Sequence, residues 1–97
     1  MLFMVVERFE GNDMGPVYRR LAERGRMLPE GLDYVASWVA ADFSTCWQIM
    51  ACDDAAAIER WMAEWEGAGV IFVAAVPVMT SDEARAAWAA SARATSR

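Results

Sequence analysis

Gln48 is the side chain with the most to explain. It stands between Trp47 and Ile49 in an apolar run, where a buried and unpaired amide would cost about 1–3 kcal/mol. Its amide must therefore bond a backbone group or another side chain, or else face a wet cavity and orient a ligand. Arg26 and Glu30 flank a loop containing Pro29 and Gly31. They could bind a carboxylate and supply a base, or form a salt bridge that fixes the loop. Tyr18 and Tyr34 each carry a phenol, fit either for proton transfer or for closing a buried hydrogen bond. Trp38, Trp47, Trp61 and Trp65 offer large surfaces to line a pocket, or to fill a core. The ligand-binding set read from these residues is Arg26, Tyr34, Trp38, Trp47, Gln48 and Trp61. No catalytic residue is singled out.

Several chemistries lack their residues. The chain has no His, which removes the usual general base at neutral pH, the proximal ligand of a globin-type haem and most zinc sites. A general base would have to be a carboxylate of raised pKa, a Tyr or a thiolate. All nine basic residues are Arg, so no amine is present for Schiff-base chemistry. Cys46 and Cys52, if both on one strand, lie roughly 20 Å apart, beyond disulfide reach. They read as free thiols in a reducing compartment. Asp53 and Asp54 head a helix and serve better as caps than as metal ligands. Neither GxGxxG nor GxxxxGK occurs, and no cofactor is expected.

Charge and length narrow the partners. Nine basic residues stand against 14 acidic ones, which argues against a nucleic-acid or anionic-membrane surface. At 97 residues the chain is a single domain, with residues 1–79 as its core and 80–97 as a C-terminal helix and tail. An apolar fraction of 57% with five Trp is high for that size and points to an interface. MLFMVV at the N-terminus lacks a basic flank and is too short for a membrane span, so a cytoplasmic location is expected.

These residues must be positioned by a recognisable order of elements. Leu2 to Phe9 is apolar on both faces, as in a central strand. Asn12 or Asp13 caps a helix from Met14 to Arg24, with Pro16 in its first turn and Gly25 at its end. Arg19, Arg20, Arg24 and Arg26 form the one basic segment, read as a solvated face paired with Glu23 and its neighbours, or else as an anion site. Leu32 to Cys52 is a hairpin reversing around Asp42. On simple alternation Leu32, Tyr34 and Trp38 point one way, and Val35, Val39 and Ala41 the other. A two-residue turn at Ala41–Asp42 would put Trp38 and Trp47 on one face, and an odd-length loop would separate them. Ile58, Trp61, Met62 and Trp65 make the apolar stripe of a second helix from Ala55 to Glu66. Val70 to Met79 is a fourth strand whose Pro77 suits a strand end or an edge. Thr80 to Glu83 is a capping box for an Ala-rich helix to about Ala92, with Trp88 as anchor and the last four residues frayed.

The order strand-helix-strand, strand-helix-strand is the ferredoxin-like βαββαβ arrangement, an α+β fold with an appended helix. Two helices cover one sheet face, and the final helix is too slight to cover the other. A closed twofold homodimer with facing sheets is the expected solution, a dimeric α+β barrel.

Particular residues also carry a resemblance. Arg24 to Leu32, the Ser37–Trp38 pair, Cys46 to Met50 leading into Asp53–Asp54, and Trp61 resemble a family of small bacterial domains of unknown function, over roughly Met1 to Val78. More remotely, the arrangement is similar to the dimeric α+β barrel superfamily, whose members include cofactor-independent monooxygenases, lactone isomerases and ligand-binding modules. That likeness implies the fold and a dimer, with a pocket between helices and sheet, and says little of function. Two readings follow. Either the domain binds a small apolar or aromatic molecule in a cavity of roughly 300 Å³ or more, or it is a non-catalytic assembly module whose aromatic surface serves dimerisation.

Overall fold

The computed structural model describes residues 1–95, with side chains through residue 93. Its elements are β1 (Leu2–Phe9), a short 3-10 turn (Glu10–Asn12), α1 (Gly15–Arg24), β2 (Leu32–Val39), β3 (Thr45–Cys52), α2 (Ala56–Glu64), β4 (Val70–Val78) and α3 (Ser81–Thr95). The four strands form one antiparallel sheet in the order β2-β3-β1-β4, a ferredoxin-like α+β fold.

β1 is central because both its edges carry a partner, and its two-faced apolar sequence suits that position. α1 starts where Asp13 Oδ1 accepts the Gly15 N–H at 2.8 Å, with Pro16 in the first turn. Gly25 closes it at φ 65°, a value that favours glycine. Asp54 Oδ1 accepts the Ala56 N–H at the start of α2. The C-terminal end of α2 is held from outside, since Arg20 on α1 donates to the carbonyls of Glu64 and Glu66. One of the Arg residues read as a solvated face thus caps a neighbouring helix. Pro77 lies on β4, an edge strand, as its missing donor requires.

The core lies between the sheet and the two helices. Phe3 and Val5 of β1, Leu32 of β2 and Met50 of β3 meet Ala57, Ile58 and Trp61 of α2 and Trp65 just past its end, with Val17 and Leu21 of α1 packed alongside. Trp61 sets its ring edge against Phe72.

Strand register corrects one sequence-based expectation. β2 pairs with β3 as Leu32↔Cys52 and Tyr34↔Met50, then resumes as Ala36↔Ile49, Ser37↔Gln48 and Trp38↔Trp47. Val35 is therefore an extra residue in a β-bulge, and the alternation inverts after it. Leu32, Tyr34, Ser37 and Val39 share the helix side, while Trp38 turns away with Ala36. The reversal is also longer than a two-residue turn. Ala40 N–H bonds the Thr45 carbonyl, which leaves four residues between them, and Phe43 N–H closes a turn onto Ala40. A four-residue loop, even-numbered like a two-residue turn, leaves Trp38 and Trp47 on one face as direct cross-strand neighbours.

α3 departs from the rest. Its capping box is formed, with Thr80 Oγ1 accepting the Glu83 N–H and Glu83 Oε1 accepting from Thr80. Its residues through Arg93 are exposed, and Trp88, expected as an anchor, is 78% exposed. The helix continues through Ala94 and Thr95, which were expected to fray. Ser96 and Arg97, expected to fray with them, lie outside the described residues. The chain's own elements, among the described residues, leave the second sheet face uncovered. Among the described residues, no helix is long and apolar enough to cross a membrane.

Candidate functional site

The helix-facing positions of the two central strands are Phe3, Val5, Glu7 and Phe9 on β1 and Cys46, Gln48, Met50 and Cys52 on β3, all buried. Two polar side chains interrupt this surface. Register sets Val5 opposite Gln48 and Glu7 opposite Cys46, so Glu7 and Gln48 are diagonal neighbours on one face. Gln48 Nε2 donates to Glu7 Oε1 at 2.6 Å. Glu7 is 4% exposed and Gln48 is 7% exposed. The oxygen of the same amide, Gln48 Oε1, is buried with no hydrogen-bond partner.

Burial controls the ionisation of this pair. Removal from water pushes the Glu7 carboxyl up to about 7, against the opposing pull of the Gln48 amide and the Arg26 guanidinium. The shift follows from the cost of a charge in a low-dielectric site. Beside it, burial and then the Glu7 charge push the Cys46 thiol up to about 11, with Arg26 pulling the other way. Cys46 and Cys52 are both free and buried, so Cys46 is no nucleophile at neutral pH.

Arg26 is positioned by the loop between α1 and β2. Gly25 and Met27, on either side of it, both have positive φ, and the chain there turns the Arg26 carbonyl toward α2. Trp61 Nε1 and Trp65 Nε1 donate to that one oxygen at 3.0 and 3.2 Å. The guanidinium carbon lies 3.5 Å from the centroid of the Tyr34 ring, a cation–π contact. Tyr34 Oη and Ser37 Oγ are hydrogen-bonded at 2.6 Å. Arg26 forms no ion pair with the exposed Glu30, so the expected salt bridge across the loop is absent.

These groups surround a cavity of about 110 Å³ between α1, α2 and the sheet. Glu7, Arg26, Ser37, Cys46 and Gln48 give it a polar end, and Phe9, Met14, Val17, Leu21, Trp61, Trp65 and Val70 give it apolar walls, with the exposed Tyr18 also on its lining. The volume is well below the expected 300 Å³. Among the described residues, no group of three or more Cys, Asp or Glu gathers to hold a metal.

Arg26, Gln48 and Trp61 are brought together on this wall. Tyr34 stands behind Arg26 and supports its guanidinium. Trp38 and Trp47 are 58% and 37% exposed and lie on the opposite sheet face, so they are corrected out of the cavity. The bulge at Val35 is the reason for Trp38, and its place opposite Glu7's outward neighbour Val6 is the reason for Trp47. Sequence reasoning did not single out Glu7 within the strand Leu2 to Phe9. The signal was present: Phe3, Val5, Glu7 and Phe9 recur at period two, and the acid occupies an inward position in that series.

The chain belongs to a family described as a domain of unknown function (DUF3303), whose model matches residues 1–92. No curated protein and no solved structure matches it.

Proposed function

We propose that this domain binds a compact apolar or aromatic molecule in the cavity between helices and sheet, and works as a homodimer joined through the uncovered sheet face. The observation that supports binding most strongly is Gln48 Oε1, a buried acceptor without a donor. Native interiors rarely leave such an atom unpaired, and a bound molecule would complete it. The apolar walls supply affinity and the polar end supplies orientation. Thermal unfolding across a panel of small metabolites is the test, with Trp61 and Trp65 as fluorescent reporters on the wall. At least one compound class should raise the midpoint with saturable dependence. A flat response across the panel would contradict the reading.

Assembly rests on the other face. Trp38, Trp47, Ile71 and Val76 are exposed there, beside the half-buried Leu2, Met4, Val6 and Ile49. A contiguous patch of that kind marks an interaction surface, and an identical copy in a closed twofold arrangement covers it without leaving a new edge. The same patch favours a second reading, an assembly module with no ligand, in which neither the midpoint nor the fluorescence responds to any compound.

A further inference from the structure

We infer that the molecule bound in this cavity carries a neutral hydrogen-bond donor, a hydroxyl or amino group on a single ring or a comparably small frame, presented to Gln48 Oε1 beside the Glu7 carboxyl. The inference rests on the binding reading above and names the ligand class.

It follows from an inventory of donors and acceptors on the wall. The Gln48 amide nitrogen is committed to Glu7 Oε1, which leaves its carbonyl oxygen to accept from elsewhere. The indole N–H groups of Trp61 and Trp65 are spent on the Arg26 carbonyl. The Ser37 and Tyr34 hydroxyls are bonded to each other, and the Arg26 guanidinium lies over the Tyr34 ring with none of its N–H groups on the Gln48 oxygen. None of these donors reaches Gln48 Oε1, which stays buried without a partner. That acceptor, beside the Glu7 carboxyl, therefore asks for a donor that the wall does not bring to it.

Charge and size exclude most alternatives. Arg26 already acts on Glu7 as its counter-charge, so a cationic ligand would meet an unfavourable guanidinium and an anionic one an unfavourable carboxylate. A ligand bearing only acceptors would leave Gln48 Oε1 unpaired, at the cost of a buried unmade bond. An enclosed apolar cavity of about 150 Å³ takes up benzene, and this one, about 110 Å³ and partly open to solvent, takes a single ring whose far edge faces the opening.

The test uses the full chain at pH 8 and three probes of similar size in calorimetric titration: phenol, which donates, toluene, which does neither, and benzaldehyde, which only accepts. Phenol should bind about tenfold or more tighter than the other two. Gln48→Met should cut phenol binding toward the level of toluene, with an unchanged circular dichroism spectrum and a cooperative urea transition showing that the variant is folded. Toluene or benzaldehyde binding as tightly as phenol to the natural chain would overturn the donor inference and leave the cavity reading standing. Failure of all three probes to bind would overturn both.

Discussion

At the scale of single residues, Glu7 imposes a cost that its strand does not need. Its carboxyl ionises near 4.5 in the unfolded chain and near 7 in the folded one, so the folded state holds the proton more tightly between those values. Stability is then greatest below pH 4.5, falls as pH rises through 7, and is flat above. The full difference is about 3 kcal/mol. Glu7→Gln should abolish this slope and raise stability at pH 8 by roughly 1–3 kcal/mol, measured by urea unfolding at pH 5 and pH 8. An unchanged slope would place the titrating group elsewhere. Cys46 gives a second check: neutral and buried, it should react with a thiol reagent at pH 8 only on unfolding. Gln48 was legible in the sequence as an amide with a problem, because a polar side chain amid Trp47 and Ile49 must find a partner. Glu7 was not, because alternation along Leu2 to Phe9 does not say which face of the strand the helices will cover, and an acid on the uncovered face would need no partner.

At the scale of elements, the site is held by devices that alternation and periodicity do not encode. Helix starts at Asp13 and Asp54, the capping box at Thr80 and the apolar stripe Ile58, Trp61, Trp65 were all readable, since each depends on neighbours within a few positions. The bulge at Val35 was not readable, because an extra residue in one strand is defined only against its partner. It decides which face receives Trp38. Deleting Val35 should leave Tyr34↔Met50 and Ala36↔Ile49 paired as a regular ladder and cost less than about 2 kcal/mol of stability, again by urea unfolding; a larger loss would mean that the bulge itself holds the strand. The link between α1 and α2 is likewise long-range. Arg20→Ala should free the Glu64 and Glu66 carbonyls and cost about 1 kcal/mol, with no effect on ligand binding.

At the scale of the molecule, one sheet serves two purposes. Its helix side encloses a cavity with a polar end, and its other side is apolar and left uncovered by α3. The sequence foretold that two helices would cover one face and that the last helix would not suffice, because an Ala-rich helix with the single large Trp88 has no stripe with which to pack. If a second copy provides the cover, light scattering at micromolar concentration should give twice the 10.8 kDa chain mass. Trp38→Asp should return it to the monomer mass without loss of secondary structure. A monomer before substitution would contradict the homodimer. The central claim concerns the other side: Glu7 and Gln48 belong to a binding site and not to the frame. The most direct test replaces both with apolar residues of similar size, Glu7→Leu with Gln48→Met, and measures the free energy of unfolding in urea at pH 8. A site that exists at the expense of stability predicts a gain of about 1–3 kcal/mol. A loss of similar size would show that the pair holds the fold together, and would contradict the account.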